Sequence, residues 1–162
     1  MTSKLGEKPV AAIAADANVL LSAVLGHAAL RVFTLTDVSV LTTRSVMQEV
    51  REYLPLVAKR YDMLPQALEG QLRLLAVREC EPDEYAPKLE AAKRAIAKRD
   101  PDDADLLALA LAFGVPVWSN DSDFKDAGVE WYTTARLLQR LGIWRRRNRG
   151  ELRTFDAVNL PQ

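Results

Sequence analysis

Cysteine and histidine are almost missing from this chain: Cys80 and His27 stand alone in 162 residues. A single cysteine excludes an internal disulfide and offers no zinc cluster, and it is compatible with a reducing compartment. Net charge is missing too, since 22 Lys and Arg offset 22 Asp and Glu. Global charge therefore implies no nucleic-acid ligand, and any basic footprint must be local. A long apolar run is also lacking. The stretch from Val10 to Leu30 raises the question of a signal peptide or membrane span, but Asp16 interrupts it and Asn18, Ser22 and His27 follow. Nothing approaches the roughly 20 apolar residues a spanning helix needs. The expectation is a soluble cytoplasmic protein without a membrane partner. Internal repeats, domain linkers and low-complexity segments are absent as well.

What is present suits one globular domain, with 49% apolar and 27% charged residues. Residues 1–9 are polar and read as a loose start. Val10–Ala15 is a short apolar run without alternation, the pattern of a buried strand. Helix-forming residues follow from about Val19 to Phe33, and Val38–Thr43 is a β-branched second strand. Ser45 is placed to cap a helix carrying Val46, Met47, Glu49, Val50 and Leu54. Pro55 and Pro65 punctuate the helical stretches beyond it. Ala76–Cys80 reads as a third strand, and Glu84–Lys98 as an exposed Ala- and Lys-rich helix. Asp100-Pro101-Asp102-Asp103 signals a helix start that runs to a stop at Gly114. Val115–Trp118 is the next strand, Ser119–Asp126 a turn, Val129–Thr133 an edge strand, and a last helix reaches Leu141. Strands alternating with helices predict an α/β fold, a single three-layer domain with a central parallel sheet flanked by helices. The domain spans 10–142. Residues 143–162 form a tail whose Trp144-Arg145-Arg146-Arg147-Asn148-Arg149 is the one dense basic cluster.

Asp16 and Asp121 each follow an apolar strand, so each emerges at a strand's carboxyl end, where open α/β sheets bind ligands. Glu49 and Asp103 sit in the second and later helices. Several acids gathered at one edge, in a chain nearly without histidine, point to hard cations held by oxygen, with magnesium or manganese as the natural guess.

These residues resemble the PIN-domain family: Asp16-Ala17-Asn18-Val19-Leu20 after a strand, Glu49 in the next helix, Asp103 opening another, and Trp118-Ser119-Asn120-Asp121-Ser122-Asp123-Phe124 after the following strand. The resemblance covers about Val10 to Gly142. It implies a parallel sheet flanked by helices and a metal-dependent ribonuclease, including the toxins of VapBC-type toxin–antitoxin pairs. By that resemblance Asp16, Glu49, Asp103 and Asp121 are the acidic metal-binding and catalytic set. Asn18 and Ser119 support it, and Asp123 is a further candidate. An RNA substrate, an antitoxin partner and a homodimer are implied as well. Asp102 competes with Asp103 for its role. Asp105, two residues on, is expected to point to another face.

Each acid has an ordinary structural explanation too, as a strand-end turn, a solvated helix face or a helix N-terminal charge. Their joint placement carries the functional reading. Arg145, Arg146, Arg147 and Arg149 are candidate RNA contacts, and Lys88, Lys93, Arg94, Lys98 and Arg99 weaker ones. Trp118 is expected in or beside the sheet and His27 within a helix. Two other classes compete with the nuclease. A non-catalytic, partner-regulated and metal-dependent nucleic-acid-binding module predicts RNA binding without turnover. A phosphatase of the haloacid dehalogenase type needs an Asp two residues beyond Asp16, where Asn18 stands, and fails there.

Overall fold

The computed structural model describes residues 6–96 and 103–144. Five short strands form one sheet: β1 (Ala12–Ala15), β2 (Ser39–Thr43), β3 (Val77–Cys80), β4 (Val117–Trp118) and β5 (Trp131–Tyr132). Their order is β3-β2-β1-β4-β5, and every pairing is parallel. Seven helices flank the sheet among the described residues: α1 (Ala17–Val24), α2 (Leu30–Leu35), α3 (Arg44–Arg60), α4 (Pro65–Leu74), α5 (Pro82–Ala95), α6 (Asp103–Phe113) and α7 (Thr134–Arg140). The parallel α/β architecture expected from the alternation of elements is therefore the one observed.

The strand order fixes where a ligand can enter. From β1 the chain steps outward to β2 and β3, then crosses back to β4 and β5. Right-handed crossovers in opposite directions put their helices on opposite faces. Accordingly α1, α3 and α4 pack on one another, while α5 packs on α6. The direction reverses between β1 and β4, and the crevice beyond their carboxyl ends is the switch point of an open parallel sheet.

The core explains the element types. Ile13, Ala14 and Ala15 of β1 are fully buried, which suits a central strand covered on both faces. In α6, Ala104 and the run Leu106 to Ala110 are all buried, so this helix is apolar around its circumference and lies between the sheet and α5. Burying each of Leu106, Leu107 and Leu109 contributes about 1.5–3 kcal/mol. Trp118 is also fully buried, with its indole N–H donating to Thr134 Oγ1 at 3.0 Å. It cannot stack on a ligand.

Several local expectations need correction. The helix read from Val19 to Phe33 is two helices, broken at Gly26, whose φ of +78° suits glycine. His27 lies in that break rather than in a helix, with its ring edge-on to Tyr61. Pro55 does not interrupt α3; it is exposed, and water on that side can take the carbonyl it frees. Thr43, not Ser45, caps α3, its hydroxyl accepting from the Val46 amide at 3.1 Å. Asp100, Pro101, Asp102, Lys98, Arg99 and the basic run from Arg145 lie outside the described residues.

Candidate metal site at the switch point

Asp16 follows β1 directly and ends it by turning its side chain onto the next element. Its Oδ1 accepts from the Val19 amide at 3.0 Å, capping α1, while its own amide donates to the Trp118 carbonyl on β4 at 3.1 Å. Thr42 fixes the same corner from β2, its buried hydroxyl donating to the Ala15 carbonyl at 2.8 Å. Across the crevice Ser119 is fully buried at the end of β4. Its hydroxyl accepts from the Asp121 amide at 3.1 Å and is also bonded to the Asp16 carboxylate. A hydroxyl has one proton, so Ser119 gives it to Asp16. That one side chain ties Asp16 and Asp121 together.

Asp121 caps a short 3-10 turn (Ser122–Phe124), with Oδ1 accepting from the Asp123 amide at 3.1 Å. Asn120 points the other way: its side-chain oxygen accepts from the Thr134 amide at 2.8 Å and fastens the loop to α7. The exposed Asp121 and half-buried Asp16 thus face one crevice. Burial pushes the Asp16 carboxyl up from 3.8 to about 6. That value is the net of burial and the Asp121 charge, which raise it, and of bonds from Ser119 and the Val19 and Asn18 amides, which lower it. Among the described residues no Lys or Arg forms an ion pair with Asp16.

Glu49 and Asp103 come from α3 and α6. Glu49 lines an open cavity of about 320 Å³ with Ser45, Glu52, Tyr53 and Asp105. Asp103 opens α6, two residues before Asp105. Asp105 was expected on a different helix face from Asp103. Its Oδ2 accepts from Ser45 Oγ at 3.1 Å and from the Tyr85 hydroxyl at 3.3 Å. Position i+2 does leave the face of Asp103, but α3 lies on that other side, so the turn brings Asp105 to Glu49. Burial foremost, then the Asp105 charge, pushes the Tyr85 hydroxyl up to about 12, so it stays a donor.

Asp16 stands with Asp121, and Glu49 lines a cavity with Asp105, two residues on from Asp103. Among the described residues no three Asp, Glu, His or Cys side chains converge closely enough to enclose an ion. The donor set still fits magnesium or manganese. Every candidate ligand is a hard oxygen, and such ions keep several waters and take only one or two carboxylates. The buried Asn18 Oδ1, two residues from Asp16, has no hydrogen-bond partner. An acceptor left open there suits a hydrated cation. Sequence reasoning missed the contacts of Asp105, Ser45, Tyr85 and Asn120. Of these only Asn120, in the polar run before Asp121, carried a local signal.

The profile of the PIN domain family matches residues 14–142. No curated protein sequence matches the chain. Three solved structures show the same fold. PAE2754 from Pyrobaculum aerophilum superposes with a TM-score of 0.62 at 16% identity, over 89% of this chain and 99% of its own length. VapBC2 from Rickettsia felis, solved with a DNA fragment from its promoter, gives 0.60 at 11% identity, over 75% of this chain and 98% of that one. The sarcin-ricin loop cleaving toxin VapC20 from Mycobacterium tuberculosis gives 0.50 at 22% identity, over 72% and 95%.

Proposed function

The chain belongs to the PIN domain family, and from that premise we propose that it is a metal-dependent endoribonuclease acting as the toxin of a type II toxin–antitoxin pair. The observation that carries this is the Asp16–Ser119–Asp121 arrangement at the switch point, where burial and a second acid both disfavour the Asp16 charge. Likeness to VapC structures supports the toxin role.

Asp16 and Asp121 hold a Mg²⁺ or Mn²⁺ ion, and Asp103 and Glu49 complete the acidic set, with Asp123 as a further candidate. When bound, the ion supplies Lewis-acid stabilisation of phosphate charge and a stronger water nucleophile. Ser119 orients Asp16 by donating to it, and Asn18 Oδ1 is placed to accept a hydrogen bond from a water in the crevice. Asp105 holds the Ser45 end of α3 and so sets where Glu49 stands. Above pH 6 Asp16 is ionised and ready to bind a cation; below it, a proton occupies the ligand oxygen.

A second reading, an RNA-binding module without turnover, is favoured by the two-group spacing of the acids. End-labelled structured RNAs incubated with Mg²⁺ or Mn²⁺ separate the two. Cleavage abolished by EDTA and by Asp16→Asn supports the nuclease; binding without cleavage across a broad panel rejects it. Exposed Leu56, Leu64 and Leu74 on and beside α3 and α4 support an apolar partner there, an antitoxin or a second copy. A strictly monomeric mass removes the homodimer. Among the described residues no helix is long and apolar enough to cross a membrane, and we place the activity in the cytoplasm. RNA contact by Arg145, Arg146, Arg147 and Arg149 is part of the same proposal.

A further inference from the structure

Trp131 and Arg136 stand on the β5 side of the acidic crevice, and neither has a role in the site described above. Trp131 leans toward the carboxyl edge, where its indole N–H donates to the Ser119 carbonyl at 2.8 Å. Ser119 is the residue that binds Asp16 and the Asp121 amide, so the indole is one hydrogen bond from the site. Arg136 lies in the first turn of α7, at the same edge. Its guanidinium sits 5.7 Å from the ring centres of both Trp131 and Tyr132, and Nη1 donates to the Trp131 carbonyl at 3.3 Å.

The far side of the edge differs. There Arg44 reaches Glu81 at 2.8 Å and Glu79 at 4.0 Å, so its charge is already answered. Arg136 is exposed, and among the described residues its contacts are aromatic faces and a carbonyl, none of them a carboxylate. Two rings and one hydrogen bond hold the fork in place, leaving other N–H groups for a ligand. A fixed guanidinium without an acid partner, beside a cation-binding crevice, matches the needs of a phosphate neighbouring the one to be cut.

We propose that Arg136, propped on Trp131 and Tyr132, anchors a backbone phosphate of single-stranded RNA on the β5 side of the crevice. Trp131 is the positioning residue, coupling that anchor to Ser119. The inference rests on the RNA reading of the site, deepening it by naming where the strand runs.

The test is fluorescence anisotropy of a short fluorescein-labelled single-stranded RNA, in EDTA, on the Asp16→Asn background, across a salt series. Loss of one phosphate contact lowers the slope of log K against log salt by about 0.7 for a single strand. Arg136→Ala is expected to weaken binding about 5–10-fold at low salt and to reduce the slope by that amount. Arg136→Lys keeps the slope while losing the stacked geometry, so it restores part of the affinity. Trp131→Phe keeps the ring but drops the bond to Ser119, and weakens binding less than Arg136→Ala. An unchanged slope in Arg136→Ala overturns the anchor even if the wild-type chain cleaves RNA. Wild-type binding without cleavage, together with the reduced slope, supports the anchor while rejecting the nuclease. Absence of RNA binding by every form overturns both.

Discussion

Replacing Asp16 by Asn should make the metal-free protein more stable, and only above a defined pH. The carboxyl titrates near 3.8 when the chain is unfolded and near 6 when folded. Between those values the native state keeps a proton that the unfolded state has lost. Native stability from this group is therefore full below about pH 4, falls as pH rises toward 6, and is flat beyond. At about 1.4 kcal/mol per pH unit, the difference approaches 3 kcal/mol; because the crevice is partly open to water, about 1–3 kcal/mol is the expected range. Asn has no such titration, and its side-chain oxygen can still cap the Val19 amide that Asp16 caps now. Urea unfolding of both proteins in EDTA, from pH 4 to pH 8, reads the effect. The two curves should meet near pH 4 and separate to a plateau above pH 6, with the Asp16→Asn variant the more stable. Excess Mg²⁺ or Mn²⁺ should then stabilise the wild type selectively, by about 2.7 kcal/mol at a hundredfold excess over Kd. A pH-independent gap, or a wild type more stable than the variant at pH 8 in EDTA, would refute the idea that Asp16 is strained by burial.

Three other perturbations probe the remaining links. Ser119→Ala removes the donor that lowers the Asp16 pKa and strands the Asp121 amide, so the acid limb of the pH–activity profile should move to higher pH, with about 1–3 kcal/mol lost in urea unfolding. Asp105→Ala unlatches α3 from α6 and leaves the buried Tyr85 hydroxyl without its acceptor; it should cost about 1–3 kcal/mol and lower kcat more than it raises KM. Leu107→Ala, fully buried in α6, should cost about 2–5 kcal/mol by thermal unfolding while leaving RNA specificity unchanged.

The sheet and its order of elements were legible because each strand is a short apolar run and each break carries its own chemistry, as Gly114 shows with φ +63°. Asp16 and Asp121 were legible for the same reason, since an acid closing a buried strand has only one edge at which to emerge. Element ends were less so. Thr43 takes the cap that Ser45 was expected to supply, because Thr43 stands where β2 turns into α3 and Ser45 is drawn to Asp105. Nothing local in the sequence announces that competition. Asp105 lies 60 residues from Ser45 and 20 from Tyr85, so its partners exist only once α3, α5 and α6 are packed. The contact of Trp131 with Ser119, across two strands, is of the same kind.

The distribution of cost within the edge follows from this difference in range. Ser119, Thr42 and Thr134 are buried polar side chains, and each has a partner that holds a strand end or a loop in place. Asp16 differs in kind, a carboxylate whose burial disfavours its charge although it too is hydrogen-bonded. A fold selected for stability alone would set an Asn there, with the same cap and no desolvation cost. Keeping the acid makes sense if the charge is answered from outside, by a cation that enters the crevice and binds more tightly because no Lys or Arg among the described residues pairs with Asp16. Stability and metal affinity should then oppose each other at this position, and a neutralising Lys introduced beside Asp121 should raise the first while lowering the second.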